Sequence, residues 1–249
     1  MKKISMTAVA LLLVISVLTG CGSKTAGGKV LKVATNVSFP PYEFYENEKA
    51  AGIDVDIMQA IADKIGYTME LTDMEFGSII PAVQSGKIDV GFGAVTITEE
   101  RSKSVHFTTS YATGIQTVIV ATGGSIKSLD DLSGADVMIG VQQDTTGDIY
   151  ASDDFGDEHV ARFLKGADAV NALKTGKVQA VIIDDSPAKT FVSQNEGLEL
   201  LPTAYTEEAY GFMCSYENEE LYKKVNDALE ALIADGTVQK IIDKYIKAE

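Results

Sequence analysis

Val90-Gly91-Phe92-Gly93-Ala94-Val95-Thr96-Ile97-Thr98-Glu99-Glu100-Arg101 is the stretch on which the reading of this chain turns. An apolar, glycine-interrupted strand runs into hydroxyls at Thr96 and Thr98, and then into an arginine. A guanidinium held beside small donors suits capture of a carboxylate, because its rigid fork presents paired N–H groups to two oxygens. Further along, Ala180 to Ile183 is a second apolar strand, followed at once by Asp184-Asp185-Ser186-Pro187. A cation at the end of one strand and an anion at the end of another predict a clamp for a zwitterion between two lobes.

Working outward, Val30 to Thr35 is a short apolar strand, and Asn36 to Glu43, which holds Pro40 and Pro41, is a loop. Met58, Ile61, Ala62 and Ile65 recur at helical spacing within 54–65, and Gly66 ends that run. Tyr67 to Leu71 reads as the next strand. Ser78 is placed to cap a helix through Gln84, with Pro81 in its first turn. Gly86 stops that helix, and 88–93 returns as a strand.

The same punctuation recurs. Ala82 to Val90 resembles Ala172 to Ala180, each a helix end, a glycine stop, a lysine and a buried strand. Val137 to Val141 is another apolar strand before a polar loop and a helix. Strands alternating with helices through short connections predict α/β architecture with mainly parallel sheets. Two copies of the pattern predict two similar lobes rather than a long array. Thr113 to Ala121 is β-branched and predicts a strand crossing between them. Two closing helices carry Leu221, Val225, Leu229 and Leu232, then Ile241, Ile242 and Tyr245, and part at Asp235-Gly236-Thr237. They are expected to pack back on the first lobe. A chain that crosses and returns has two connecting segments, which make a hinge.

The chain has 249 residues, enough for one large domain or two small ones. Lys2 and Lys3 precede an apolar run from Ala8 to Leu18 that is too short to span a bilayer comfortably. Residues 1–20 therefore read as a secretory signal. Leu18-Thr19-Gly20-Cys21 resembles a bacterial lipobox, which implies cleavage before Cys21 and acylation (palmitate) of its sulfur and of the new amino terminus. Several acyl chains give a stable membrane anchor. Residues 21–29 are small and polar, and predict a flexible tether. The formal charge of −15 becomes −17 once the two signal lysines are gone. That balance, with no Lys/Arg cluster, argues against nucleic acid and anionic lipid surfaces as partners. With Cys21 acylated, Cys214 has no disulfide partner and reads as a buried structural thiol. His106 and His159 lack companions at metal-ligand spacing, so no metal or other cofactor is expected.

Phe39-Pro40-Pro41-Tyr42, Gly52 to Asp56, Phe76 to Asp89, Thr96 to Arg101, Phe107 to Tyr111, Gly140 to Gly147 and Asp185-Ser186-Pro187 stand in an order that resembles the extracellular solute-binding proteins of family 3. Those are the polar amino-acid receptors of bacterial ABC importers, and the resemblance spans nearly everything from Lys29 to Ile246. It implies the type II periplasmic-binding-protein fold: two lobes, two hinge strands and a ligand in the cleft. The lobes would comprise 30–112, then 113–208 with hinge segments at its ends, then 209–249 returning to the first lobe.

The resemblance also implies roles. Arg101 would bind an α-carboxylate, assisted by Thr96 and the backbone at Ala94. Thr145 and Thr146 would add the second lobe's contribution from the start of a helix. Asp185 would take the α-ammonium, with Asp184 the alternative. Phe39 and Phe76 would sandwich the aliphatic part of the ligand, and Gln142 and Asn36 would read its side chain. Two departures pull in opposite directions. Asn36 stands where relatives for cationic amino acids often carry aspartate, whereas Asp144 adds an acid where glycine is common.

The implied function is that of an extracytoplasmic receptor and not an enzyme. It would be a monomer, held at the cell membrane by its lipid alone, that binds a polar or basic L-amino acid and delivers it to an ABC permease. The alternatives are a component of a ligand-sensing ectodomain and a dehydratase-like enzyme on the same fold. The second would need a general acid or base in the cleft; both histidines lie outside the motifs, and no Ser-His or Cys-His constellation appears.

Overall fold

The computed structural model describes residues 29–202 and 205–246; the secretory signal and the lipobox lie outside the described residues, as does the tether up to Gly28. The chain begins with β1 (Lys29–Thr35), a hairpin of β2 (Phe44–Glu46) and β3 (Lys49–Ala51), α1 (Ile53–Ile65), β4 (Tyr67–Asp73), α2 (Phe76–Gln84), β5 (Val90–Gly91), α3 (Glu99–Ser102) and β6 (His106–Phe107). It continues through β7 (Ala112–Ala121), β8 (Ile139–Gln142), α4 (Thr146–Phe155), β9 (Val160–Phe163), α5 (Gly166–Lys174), β10 (Ala180–Asp184), α6 (Asp185–Gln194), β11 (Leu198–Leu200) and β12 (Thr206–Tyr210). It closes with β13 (Met213–Cys214), α7 (Glu219–Ala234) and α8 (Thr237–Tyr245).

These strands form two main sheets, one in each lobe. The first runs β4-β1-β5-β13-β6, and the second β11-β7-β10-β8-β9 with β12 paired to β7. Each sheet is mixed. Its parallel part is a trio, β4-β1-β5 in one and β9-β8-β10 in the other. The antiparallel pairs lie where the crossing strands join. The expectation of mainly parallel sheets therefore holds for the strand–helix–strand units and not for the strands beside the hinge.

The sequence repeat is reproduced at its glycine stops and strand entries, although the amide that bonds back to the helix comes one residue earlier in the second copy. Gly86 and Gly176 take φ values of 69° and 72° after their helices, where glycine carries no Cβ penalty. Ile88 N donates to Ala82 O at 3.1 Å, and Lys177 N donates to Ala172 O at 2.9 Å. Asp89 Oδ2 accepts from Lys32 N at 2.8 Å, and Gln179 Oε1 accepts from Met138 N at 2.8 Å. Each lobe uses the same side chain-to-backbone tie to enter its third parallel strand.

Two details of the sequence reading need correcting. Helix α2 begins at Phe76 with Glu75 at its cap, so Ser78 is not the cap and Pro81 lies inside the helix. The strand expected over 88–93 shrinks to Val90–Gly91, because its later residues leave the sheet to build the cleft.

The crossing is double. β7 and β12 pair antiparallel from Ala112↔Tyr210 to Gln116↔Thr206. At the same level Tyr111 N donates to Tyr210 O at 3.2 Å, and Thr108 N donates to Phe212 O at 2.9 Å. Helix α7 buries Leu221, Val225, Leu229 and Leu232, in one cluster with the buried face of α1 (Ile57, Met58, Ile61). Cys214 is enclosed in β13, and burial pushes its thiol up to about 12.

Candidate functional site

A cleft of about 330 Å³ lies between the sheets, at the carboxyl ends of their parallel strands, where α/β sheets place ligands. The first lobe lines it with Asn36, Phe39 and Glu43 from the loop after β1, with Phe76 from the start of α2, and with Gly93, Ala94, Thr96 and Arg101 from the segment after β5. The second lobe adds Gln142 at the end of β8, Thr145 and Thr146 at the start of α4, and Asp184 at the end of β10.

Arg101 is fixed by its surroundings. Thr98 caps α3 by accepting from Arg101 N at 3.1 Å, which sets the helix on which the side chain stands. Nη1 donates to Thr96 O at 3.0 Å, and Nη2 crosses the cleft to donate to Asp144 O at 3.1 Å. The guanidinium carbon lies 5.5 Å from the centroid of the Phe76 ring, within cation–π reach. These contacts occupy two of the five N–H donors of an arginine, so three are left to receive an anion. Burial draws the group below its ordinary pKa, and Glu208 and Asp184 push it back up.

The turn beneath Arg101 is held by a buried acid. Asp54 accepts from Gly93 N at 3.2 Å, from Ala94 N at 2.7 Å and from the Tyr111 hydroxyl at 2.7 Å. Ala94 sits at φ 47°, a conformation that costs a non-glycine residue energy and here turns the backbone toward the cleft. Burial pushes Asp54 up to about 6, against the pull of those three donors.

The anionic side is richer than the sequence suggests. Asp184 is buried, accepts from the Tyr210 hydroxyl, and is pushed by burial, with help from Glu208, up to about 7. Glu43 is buried, and burial together with Asp54 and Asp184 raises it well above the usual carboxylate range. Its Oε2 has no hydrogen-bond partner among the described residues, nor has Oε1 of Gln142. Behind Thr96, Glu208 Oε2 accepts from Thr96 Oγ1 and Gln116 Nε2, each at 3.0 Å.

The cleft is closed by bonds from lobe to lobe. Gln142 Nε2 donates to Asn36 Oδ1 at 3.2 Å, and the hydroxyls of Thr96 and Thr146 lie 3.4 Å apart. Asn36 is engaged at both ends of its amide, since its Nδ2 also donates to Met74 O at 2.9 Å. Thr145 is occupied as the cap of α4, accepting from Asp148 N at 3.4 Å while donating to Gln142 O at 2.7 Å.

The structure thus brings Asn36, Phe39, Phe76, Ala94, Thr96, Arg101, Gln142, Thr145 and Thr146 to one cleft. It does not bring Asp185 there. Asp185 starts α6 on the opposite side of the crossing strands, near Tyr42 and Thr113, and pairs with Lys189 at 3.3 Å. The element boundary is the reason: Asp184, the last residue of β10, faces the cleft, and the chain turns into α6 at Asp185. Sequence reasoning missed Glu43 and Gly93, and with them Glu208 behind the wall. The available signal for Glu43 was an acid next to the aromatic and proline anchors of its loop.

The model of the bacterial extracellular solute-binding proteins, family 3, matches residues 31–248. The chain is a family 3 solute-binding protein. Among relatives of this solute-binding protein, the arginine-binding extracellular protein ArtP of Bacillus subtilis is 31% identical over 93% of each chain. Solved structures agree. An ancestral arginine-binding protein bound to glutamine superposes with a TM-score of 0.83 at 39% identity, over 88% of this chain and 98% of that one. The arginine-, lysine-, histidine-binding protein ArtJ of Geobacillus stearothermophilus gives 0.82 at 33% identity, over 89% and 96%.

Proposed function

We propose that this family 3 protein is the extracytoplasmic receptor of an ABC importer and that its ligand is a cationic L-amino acid. The observation that carries the reading is the charge of the lining: two carboxylates, Glu43 and Asp184, face one guanidinium, Arg101. A zwitterion satisfies Arg101 and Asp184 and leaves Glu43 over. A second positive charge on the ligand side chain matches it, along with the unpartnered oxygens of Glu43 and Gln142. Burying such an acid without a counter-charge is costly, so the ligand-free protein favours its neutral form and a cation restores its charge.

The amino acid docks first on Arg101 and the rings of Phe39 and Phe76. The second lobe then closes over it with Asp184 and the start of α4. Closure is driven by the interactions that the ligand makes with the closed form alone, and micromolar capture corresponds to about −8 kcal/mol. The crossings at Tyr111–Ala112 and Tyr210–Phe212 support a division into one lobe of 30–112 with the return segment from 209, and another of 113–208. The receptor acts as a monomer anchored through lipid on Cys21 and hands its ligand to a permease. The receptor reading is supported by the relatives, which are solute-binding proteins, and neither histidine lines the cleft: His106 pairs with Glu219 and His159 bonds the Val137 carbonyl.

Titration calorimetry with L-arginine, L-lysine, L-histidine, L-glutamine and L-glutamate tests the reading. The three side chains able to carry a positive charge should bind more tightly than glutamine, and glutamate should not bind. Preference for glutamate would refute it.

A further inference from the structure

We infer that Arg162 and Asp148, which line no part of the ligand cleft, are positioning residues for the contact that Arg101 makes from lobe to lobe. Arg162 stands on β9, on the outer side of the second lobe, with a third of its side chain exposed. Its Nε reaches Asp148 Oδ1 at 2.8 Å and Oδ2 at 3.0 Å. Its Nη2 reaches Ser152 Oγ at 2.8 Å and Asp157 Oδ1 at 2.5 Å. Asp148 is buried in the first turn of α4, and its Oδ2 accepts from Asp144 N at 3.0 Å.

That last bond fixes the backbone that meets Arg101. Asp144 takes φ 65°, the left-handed region that L side chains seldom adopt. Its amide is tied inward to Asp148, while its carbonyl accepts from Arg101 Nη2 at 3.1 Å. Four groups, Arg162, Asp148, the Asp144 peptide and Arg101, thus form one hydrogen-bonded line from the protein surface to the carboxylate-binding residue. The ordinary role of an acid in a first helical turn is to face the helix's own N–H groups. Asp148 instead turns back to the loop ahead of the helix, and Arg162 caps both of its oxygens. Removing Arg162 leaves a buried carboxylate without its counter-charge, which then reorients toward water. The loop loses its tie, and the closed cleft loses the acceptor that Arg101 meets there.

This inference rests on the reading of Arg101 as the carboxylate receptor, so its test has a readout independent of any ligand. Arg162→Met, Arg162→Lys and the parent are titrated with L-arginine, their dissociation rates are measured by stopped flow, and the Asp144 amide proton is followed by NMR. The parent amide should resonate downfield, as a proton donated to a carboxylate does, and should move in Arg162→Met. L-Arginine should bind Arg162→Met about tenfold more weakly, mostly through faster dissociation. Arg162→Lys should recover part of both. If Arg162→Met does not fold, Asp148→Asn, which keeps an oxygen acceptor but removes the pair's charge, carries the same test. An unchanged amide resonance, or a parental dissociation rate in the folded variant, overturns the inference. A parent that fails to bind L-arginine while its amide moves on substitution counts against the ligand reading alone.

Discussion

Tyr210 donates its hydroxyl to Asp184, joining the strand that carries the chain back between the lobes to the acid that faces the ligand cleft. The contact exists because Gly114 on the neighbouring strand has no side chain. A Cβ there would lie 1.7 Å from the Tyr210 oxygen and 2.2 Å from Cζ. Tyr210 is fully buried and cannot swing aside. Gly114→Ala should therefore lower stability by about 1–3 kcal/mol, as overpacking does, and should weaken ligand binding by uncoupling Asp184. Urea unfolding and calorimetry on the same variant check both.

The two neighbouring aspartates separate cleanly. Asp184→Asn should lose most amino-acid affinity, since it removes the partner of the ligand ammonium. Asp185→Asn should bind within about twofold of the parent, because it loses only a partly exposed pair with Lys189, away from the cleft and worth roughly 0–1 kcal/mol. Equal losses in the two variants would contradict the assignment.

Arg101→Ala should cost binding roughly 2–5 kcal/mol, because the ligand carboxylate would then be enclosed without a counter-charge. Arg101→Lys should recover only part of this, since an ammonium cannot reach Thr96 O, Asp144 O and a carboxylate with the same planar fork. Calorimetry against the ligand that binds the parent is the measurement.

The acids predict opposite pH responses for the ligand-free and the ligand-bound protein. Asp184 rises from 3.8 to about 7 on folding, and Asp54 from 3.8 to about 6. A raised carboxylate contributes stability that is complete below the unfolded value and lost as pH climbs through the folded one. Ligand-free stability from these two groups should therefore fall between about pH 4 and 7. A cationic ligand needs Asp184 ionised, so its affinity should rise with pH across the same interval, by up to about tenfold per unit, with protons released. Titrations in buffers of differing ionisation enthalpy count those protons. Affinity that fell with rising pH would contradict Asp184 as the partner of the ligand ammonium.

Much of this was legible because the signals were local. Glycine stops, strand ends and the Thr96–Arg101 segment carry their meaning within a few residues. The double crossing followed from a β-branched run at Thr113–Ala121 and a returning pair of amphipathic helices. What was not legible depended on partners far away in the chain. Asp184 and Asp185 differ only in which one ends β10, and element ends shift by a residue or two on weak cues. Glu43 and Glu208 have the composition of surface residues, and acids of that kind are seldom buried. Only the approach of Asp54 to Glu43, and of Thr96 and Gln116 to Glu208, shows that they are interior.

The enclosure of Cys214 has a practical side. A thiol buried in the sheet and raised to about 12 is almost never a thiolate near neutrality, so maleimides will pass it by. Gln143 lies exposed at the mouth of the cleft, beside Gly77 of the facing lobe. In a version that begins after Cys21, a cysteine introduced there would be the sole reactive handle, and a dye attached to it would report ligand capture as a change in fluorescence.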